Sequence, residues 1–488
     1  MTNIQTNSDP PVEIVRSLAD RVRQQVKGDV HDVRYDAMIS AAIEAQVNAY
    51  ADSLMRSPKT ATIGMSLDRT RLAQRVREQL VGLGELQVLL EKEDVEDIDI
   101  NGCDIVWVSY ADGHRERWPN PVAPSDEELN RLIAMIAHRH GHSERQFDAT
   151  HPELDLRLRD GSRLSAIQAV SKRPSASIRR HRITSPSFEF LVAHQQLPGR
   201  VLPGMLSPGT ALLLRAIVLA KKNVMISGSM GAGKTTLLRA LASVIPPDER
   251  IVTIEQSFEL GLDEATVVNT DTHLPELQHP DCVAMEERPP NLEGVGSITI
   301  RNLVKRSKRM NADRVIVGEV LGEEIVDMLT AMIQGRTGSM CTIHADSATG
   351  TLTQAYNYAM QSAEKMSLEQ AQMMVAQAID FIVYTAPIAL PPGLRQRADE
   401  HANLRVVQSV IEVFGRDASS GVVSANELTT MAPDTLRMVH KVPPRCIEQL
   451  RPFGYDFQLA KDRDIEWYKQ LSEGVAPSEQ AVLAMLNS

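Results

Sequence analysis

A glycine-rich stretch in the middle of the chain has the residue types and spacing of a phosphate-binding loop. Residues 227–236 read SGSMGAGKTT and match GxxxxGK[ST] at every fixed position. Glycines permit a tight loop whose N–H groups converge on the α- and β-phosphates, the lysine reaches the β- and γ-phosphates, and the threonine hydroxyl can ligate Mg²⁺. The predicted nucleotide-binding residues are Gly228, Ser229, Met230, Gly231, Ala232, Gly233, Lys234, Thr235 and Thr236. An apolar run on each side predicts the strand and the helix that this motif requires.

Three further stretches end an apolar, β-rich run in a residue that can handle protons or metal. They are IVTIEQSFEL, RVIVGE and GRTGSMCTIHA, whose strands end at Glu255, Glu319 and His344. A single glutamate or histidine after a strand is commonly structural. Because parallel strands bring their carboxyl ends to one sheet edge, four such strands would place a phosphate loop, two acids and a histidine together. Glu319 could then polarise or orient the attacking water.

The residues from about 205 to 415 alternate short strands with helices. VMIS, IVTI, RVIVG, MCTI and FIVY are nearly continuous apolar runs, which is typical of parallel strands covered on both faces. This part of the chain is therefore predicted to be α/β, with a parallel sheet.

The residues before this region predict helices and then a small α/β domain. From Val12, apolar residues recur at spacings of three and four through Val26, and a second helix is expected at roughly 69–90. DIDINGCDIVWVSYADGHRERW alternates around NG and DG turns and predicts hairpins, and LDLRLRDGSRLSAI predicts another strand–turn–strand. A helical run begins at Asp126 between them. The basic stretch 172–190 contains Pro and Ser and is interpreted as the domain end and linker.

Composition narrows the class of protein. A chain of 488 residues is long enough for about three domains. The formal net charge of −11 argues against non-specific nucleic-acid binding as the main activity. The four scattered cysteines form no CxxC pair, which disfavours a metal cluster and fits a reducing cytoplasm. The N-terminus does not resemble a signal peptide and charges interrupt the apolar runs, so a soluble protein is expected.

The four motifs together resemble those of the secretion ATPase superfamily, the hexameric motors of type II and type IV secretion and of type IV pili. GSMGAGKTT, TIEQSFEL, RVIVGE and GSMCTIHA are similar to its P-loop, Asp box, Walker B motif and His box. The sequence between the motifs looks most like that of the tight-adherence (Tad) pilus ATPases; it includes ERPPNLEGVGSITIRNLVKRSKRMNADRVIVGEV. The similarity covers roughly residues 80–415. It implies an α/β fold with a RecA-like P-loop motor domain, a smaller N-terminal α/β domain, and ATP bound between them.

The resemblance also implies a division of the chain. The predicted parts are a helical N-terminal extension (1–80), the N-terminal α/β domain (81–182), a linker (183–204), the RecA-like ATPase domain (205–415) and a C-terminal extension (416–488).

Roles for individual residues follow from the matched motifs. Lys234 and Thr235 would bind phosphate and Mg²⁺, and Glu319 would be the Walker B glutamate. Glu255 would be the Asp-box acid that helps organise metal and water, and His344 would sense or link the γ-phosphate. The implied cofactors are ATP and Mg²⁺.

Three arginines are predicted to neutralise phosphate charge. Arg163 in DGSRL and Arg179 in SIRRH match N-terminal-domain arginines that reach the phosphates when the domains close. Arg309 in SKRM is a candidate for charge stabilisation within or across subunits. A guanidinium can bridge phosphate oxygens, and the γ-phosphoryl group needs such a donor as its charge develops.

Two positions depart from the family pattern. Gln256 stands where many relatives have Asp, which removes a second carboxylate, and Leu321 stands where many have Arg, which puts one interface or phosphate contact in doubt. The tetracysteine zinc module of type II secretion ATPases is absent, which disfavours that branch.

The prediction is a hexameric cytoplasmic ATPase, peripheral at the inner face of the cell membrane, that powers assembly of a Tad or type IV-like pilus or secretion of its subunits. Its expected partners are further copies of itself and an inner-membrane platform protein, with no direct nucleic acid. The alternative is a type IV secretion or conjugation ATPase that drives transfer of DNA or protein. A third possibility is a nucleotide-gated adaptor that binds ATP and hardly hydrolyses it.

Overall fold

The structure, a computed structural model, divides the chain into two compact units. One comprises Met1–Tyr110 and Arg115–Arg180, and the other comprises Ala111–His114 and His181–Ser488. The described residues are 12–25, 35–56, 67–81, 85–92, 94–110, 114–140, 147–158, 161–180, 186–193, 201–268, 275–288, 290, 294–391, 403–417, 421–476 and 478–487.

The N-terminal unit consists of helices followed by an α/β region. Its helices are α1 (Val12–Gln25), α2 (Tyr35–Met55), α3 (Arg69–Val81), α4 (Glu85–Glu91) and α5 (Asp126–His140). Its strands are β1 (Val95–Asn101), β2 (Val106–Tyr110), β3 (Arg115–Trp118), β4 (Glu153–Arg157), β5 (Arg163–Ile167) and β6 (Ser175–Arg179).

Helices α1, α2 and α3 share one apolar cluster. The predicted helix from Val12 is confirmed, and its apolar stripe, which includes Leu18 and Val22, is buried. Val26, the last predicted member of that stripe, lies outside the described residues. The single helix expected at roughly 69–90 is instead two helices, α3 and α4.

The strands of this unit form one antiparallel sheet. In the part of the unit that is described, six strands pair in the order β3-β2-β1-β6-β5-β4. The predicted hairpins are confirmed, since β1 pairs with β2, β2 with β3, and β4 with β5. Alternate residues such as Ile98, Leu164 and Ile178 are buried in the same apolar cluster as α5, so the sheet has one buried face and one polar face.

The second unit contains the predicted parallel strands. Its helices are α6 (Phe188–Ala193), α7 (Pro208–Leu219), α8 (Lys234–Ala242), α9 (Ile300–Ser307), α10 (Glu324–Ile333), α11 (Ala348–Gln361), α12 (Leu368–Ala378), α13 (Ile447–Leu450), α14 (Phe457–Ser472) and α15 (Glu479–Asn487). Its strands are β7 (Val224–Gly228), β8 (Ile251–Glu255), β9 (Thr266–Val268), β10 (Pro275–Leu277), β11 (Cys282–Glu286), β12 (Arg314–Val320), β13 (Met340–His344), β14 (Phe381–Ala389), β15 (Asn403–Arg416), β16 (Val423–Ala432) and β17 (Arg437–His440).

A large central sheet organises this unit. Within the described ranges it has nine strands in the order β11-β8-β12-β13-β7-β14-β15-β16-β17. The strands from β11 to β14 are parallel, and β15 to β17 continue antiparallel. All five predicted strands are therefore present as parallel strands, and two apolar clusters bury the sheet. The chain is α/β, with a RecA-like P-loop domain, a smaller N-terminal α/β domain and N-terminal helices.

The region after residue 416 is built into this unit. Strands β16 and β17 extend the central sheet, and α14 packs against α7. The carboxylate of Asp464, on α14, accepts hydrogen bonds from Gly209 N at 2.6 Å, Ser207 Oγ at 2.7 Å and His440 Nε2 at 2.8 Å. Because Gly209 lies in the first turn of α7, Asp464 satisfies an N–H group that the helix itself cannot.

None of the helices in the described parts of the chain is both long enough and apolar enough to cross a membrane.

Candidate nucleotide-binding site

The glycine-rich loop connects β7 to α8 at the carboxyl edge of the central sheet. Gly233, immediately before α8, has a φ of 86°, a left-handed conformation that favours glycine. Gly228 lies so close to β14 that a Cβ atom there would be 2.2 Å from the carbonyl oxygen of Thr385. These two constraints give the loop the tight path that phosphate binding requires.

Lys234 is the first residue of α8 and is 7 % exposed. Its ammonium group donates to the carbonyl oxygens of Gly228 at 3.2 Å and Ser229 at 3.1 Å, so it lies across the loop. It also lies 3.1 Å from Nδ1 of His344, because β13 pairs with β7 in a register that sets His344 opposite Gly228. The loop, its lysine and the end of β13 thus form one contact network.

The network continues to Glu319, near the end of β12. His344 Nε2 lies 2.9 Å from Glu319 Oε1, and Lys234 Nζ lies 3.9 Å from the same oxygen. A lysine ammonium group can only donate, so Nδ1 of a neutral His344 accepts and Nε2–H donates to the carboxylate. The side chains of Lys234, His344 and Glu319 therefore meet at one sheet edge, as the strand order predicts.

Local irregularity in β12 determines where Glu319 lies. The pairing of β12 with β13 shifts register between Val317 and Val320, and Gly318 and Glu319 occupy that irregular stretch. A Cβ atom on Gly318 would lie 3.1 Å from Cγ of Glu255, so the glycine of RVIVGE allows the two strands' acids to pack closely. Glu319 remains one-third exposed, which leaves its carboxylate accessible to water.

Glu255 organises the turn that follows β8. It is 2 % exposed, and its Oε2 accepts hydrogen bonds from the backbone of Glu259 at 2.8 Å and Leu260 at 2.9 Å. This turn brings Glu259 Oε2 to within 3.4 Å of the Thr235 hydroxyl. The predicted role of Glu255 toward metal stays a prediction.

Sequence reasoning missed Glu259 and Arg239. Glu259 is four residues after Glu255 within the motif TIEQSFEL, and this spacing was the available clue. Arg239 interrupts an otherwise apolar stretch of α8. Burial lowers the pKa of its guanidinium, while the negative charges of Glu255 and then Glu259 act in the opposite direction. A half-buried cation therefore accompanies the two acids beside the loop.

The oxygen atoms near Thr235 suit Mg²⁺. The hydroxyl of Thr235 and the carboxylate of Glu259 are hard oxygen donors, and they are close enough to share an ion. No set of three or more His, Cys, Asp and Glu side chains arranged for a metal occurs among the described residues. This is compatible with Mg²⁺ held by one or two protein ligands together with substrate phosphates.

The predicted arginines of the N-terminal unit lie in one row of its sheet. Arg163 pairs in register with Arg179 on β6, and Arg157 on β4 pairs with Arg163. Arg179 Nε also donates to Asp97 Oδ1 at 3.0 Å. Arg157 is a third cation that sequence reasoning missed, although it lies in LDLRLRDGSRL, the same predicted hairpin. The binding of phosphate by Arg163 and Arg179 stays a prediction.

Arg309 is not brought to this site within the chain. It is exposed in the turn after α9, and the neighbouring Met310 carbonyl accepts from Arg250, which precedes β8. Arg309 therefore lies near the amino-terminal ends of β8 and β12, opposite the edge that holds Glu319. A contribution from Arg309 to a neighbouring subunit stays a prediction.

Comparison with known proteins places this site in a family. Residues 196–440 match the family described as "Type II/IV secretion system protein". A Mycobacterium tuberculosis protein named for conjugal transfer is 33 % identical over 274 residues, which cover 56 % of this chain and 71 % of that protein. The type IV secretion system protein PtlH of Bordetella pertussis is 28 % identical over 341 residues, covering 67 % and 92 %.

Two solved structures illustrate the similarity. The VirB11 ATPase of the Brucella suis type IV secretion system is 22 % identical, with 65 % of this chain and 93 % of that chain covered and a TM-score of 0.31. The pilus retraction motor PilT with bound ADP is 13 % identical, with 83 % and 96 % covered and a TM-score of 0.41. The family match spans half of the chain and includes the loop and all four strand ends of the site. The chain therefore belongs to the type II/IV secretion system protein family.

Proposed function

We propose that this chain hydrolyses ATP with Mg²⁺ and uses the energy to drive a pilus or secretion machine. The observation that carries the proposal is the contact network from Lys234 through His344 to Glu319 beside the glycine-rich loop. A cation for phosphate and a partly exposed carboxylate for water are the two groups that such a hydrolysis needs.

Each residue of the network has a distinct task in this proposal. Lys234 contacts the β- and γ-phosphates. Their charged oxygens are stronger acceptors than the loop carbonyl groups that Lys234 contacts in the structure. Glu319 accepts a proton from, or orients, the attacking water. His344 donates to Glu319 and holds its carboxylate toward the phosphate end of the site. Thr235 together with Glu255 or Glu259 would hold Mg²⁺, which would supply positive charge to neutralise the phosphates.

The active form is proposed to be a homo-hexameric ring whose assembly is favoured by nucleotide. The site needs cations beyond Lys234, and Arg309 lies at the opposite sheet edge of its own chain. A neighbouring subunit can supply such a residue across a head-to-tail interface, and a ring repeats that interface at every site. Light scattering with and without a non-hydrolysable ATP analogue measures this. A monomer under both conditions would exclude the ring.

The machine is proposed to be a Tad or type IV-like pilus, with the motor at the cytoplasmic face of the inner membrane on a platform protein. The sequence around the motifs resembles that of the Tad branch, which supports a pilus as the machine. The names of the Mycobacterium tuberculosis and Bordetella pertussis relatives favour the second candidate, transfer of DNA or protein by a type IV secretion system. The acidic balance of the chain argues against direct nucleic-acid binding in either case.

Phosphate release from ATP tests the enzymatic proposal. The expected result is slow hydrolysis that requires Mg²⁺ and stops on chelation. Nucleotide binding without hydrolysis in the assembled oligomer would instead indicate a nucleotide-gated adaptor. Deletion of the gene then distinguishes the two candidate machines. Loss of surface pilin from a shear fraction supports the pilus. Loss of DNA transfer or of a secreted protein, with pili retained, supports the type IV secretion system.

A further inference from the structure

One flank of the glycine-rich loop has no role in the scheme above. In the sheet order, β13 and β12 lie on one side of β7, and β14 and β15 lie on the other. Lys234, His344 and Glu319 meet on the β13 and β12 side, which is where the γ-phosphate must lie to be attacked. A nucleotide on the loop therefore extends its α-phosphate and nucleoside toward β14 and β15.

Two side chains meet the loop on that flank. A Cβ atom built on Gly233 would lie 3.1 Å from Cε of Met205 and 3.9 Å from Cδ of Arg405. Both side chains therefore lie beside the last loop residue before Lys234, with a thioether and the stem of a guanidinium next to the phosphate cradle.

The sheet fixes the position of both side chains. The carbonyl oxygen of Met205 accepts from the backbone N–H of Val407 at 2.9 Å, so the segment before α7 is tied to β15. Arg405 pairs with Pro387, two residues beyond the pair of Thr385 with Gly228 that marks the end of β7. Arg405 is consequently held at the ligand-binding edge by main-chain pairing.

The direction of the Arg405 side chain follows from strand alternation. Its neighbours Leu404 and Val406 are fully buried in the apolar core on one face of β15. Successive side chains of a strand point to opposite faces, so Arg405 points away from that core and is partly exposed.

We infer that Met205 and Arg405 form the nucleoside end of the site, with Met205 packing against the base and Arg405 binding the α-phosphate. This inference rests on the proposed nucleotide-binding function. A guanidinium forms charge-assisted hydrogen bonds with phosphate oxygens, and a thioether packs favourably on aromatic rings.

The test compares ATP with pyrophosphate, which can occupy the β- and γ-positions but has no α-phosphate linked to a nucleoside. Calorimetric titration of the full-length protein with each ligand gives the two dissociation constants. Arg405→Ala is expected to weaken ATP binding by about ten-fold or more, and pyrophosphate binding by less than about two-fold. Met205→Ala should show the same selectivity with a smaller loss. In hydrolysis, Arg405→Ala should raise KM and leave kcat within about two-fold.

Arg416→Ala is the matched control, because Arg416 lies at the other end of β15 and pairs with Glu369. It should bind both ligands like the wild type. Arg405→Lys keeps the charge and is expected to recover part of the ATP affinity. It replaces Arg405→Ala in the test if the alanine variant has a lowered melting temperature. Unchanged ATP binding by a folded Arg405→Ala protein, or an equal loss for ATP and pyrophosphate, would overturn the inference. If the wild-type protein binds neither ligand, the proposed function itself fails.

Discussion

The central sheet and the N-terminal sheet assemble their charged groups by different rules. In the central sheet, Gly228, Glu255, Glu319 and His344 come from distant parts of the chain and lie at one edge, because parallel strands end on the same side. In the N-terminal sheet, neighbouring strands are antiparallel, and three arginines line up only because the register of β4, β5 and β6 sets them opposite one another. The central arrangement depends on topology, and the arginine row depends on register.

The two arrangements also differ in charge balance. At the central edge, Lys234 contacts Nδ1 of His344 and lies near Glu319, so the charges of the lysine and the glutamate compensate. In the N-terminal sheet, Arg157, Arg163 and Arg179 are consecutive like charges, which destabilise a sheet when they lie directly opposite. Asp97 pairs with one of them. The row therefore places three positive charges at matching positions of neighbouring strands, and the phosphate role of Arg163 and Arg179 requires positive charge there.

The largest effect is expected at the central edge from Glu319→Gln. The amide keeps the shape of the side chain but cannot take a proton from water, so kcat should fall by about 10²–10⁴-fold while ATP affinity is retained. Phosphate release and nucleotide titration measure the two quantities. Glu466→Gln, on the exposed side of α14, is the control and should match the wild type. Hydrolysis at the wild-type rate by Glu319→Gln would show that the catalytic assignment is wrong.

Lys234→Ala is expected to weaken binding itself. A charge-assisted contact with phosphate contributes about 1.5–3 kcal/mol, so the dissociation constant for ATP should rise at least about ten-fold. Titration with a fluorescent ATP analogue measures it. Lys222→Ala is a suitable control, since Lys222 precedes the opposite end of β7 and contacts Gln449. Equal ATP affinity of wild type and Lys234→Ala would contradict the phosphate role of the loop.

The double variant Arg163→Ala, Arg179→Ala tests whether the register-built row serves the same chemistry. If both arginines reach the phosphates, hydrolysis should fall by about ten-fold or more per arginine while the protein stays folded. Arg115→Ala removes an arginine of the same sheet, paired with Asp99, and is the control. Normal hydrolysis by the double variant would show that Arg163 and Arg179 are surface residues of a hairpin with no role in hydrolysis.

The smallest effect concerns the acid stability of the N-terminal unit. The guanidinium of Arg173, at 2.7 Å from both carboxylate oxygens of Asp126, holds the pKa of that carboxyl well below its usual value of 3.8. The lowered pKa stabilises the fold above pH 3.8, and this contribution is lost as the pH falls below that value. Both side chains are about one-third exposed, so screening by solvent keeps the contribution small.

Asp126→Asn should therefore lower the free energy of unfolding near neutral pH and reduce its decline toward pH 3. Urea unfolding of the full chain followed by tryptophan fluorescence measures this, because Trp107 and Trp118 belong to the N-terminal unit and Trp467 to the other. An unchanged pH dependence in the variant would show that this ion pair does not contribute to acid stability.

Several features of the fold were readable in the sequence. The five strands of the central sheet are buried on both faces, so they read as continuous apolar runs. The strands of the NG and DG hairpins are buried on one face, so apolar and polar residues alternate along them. The glycine-rich loop was equally clear, since its φ angles and its close approach to β14 admit few other residues. By contrast, α2 has apolar and small residues around its whole circumference, so no stripe marked it.

The sequence by itself determined which residues could do the chemistry and on which strands they end, because residue type and periodicity are local properties. Only the tertiary structure decided their partners. It set Glu259 rather than Glu255 beside Thr235, bridged Lys234 and Glu319 through His344, and made β16 and β17 part of the central sheet. Those outcomes depend on turn geometry, strand register and packing between distant segments, which no local pattern of residues encodes.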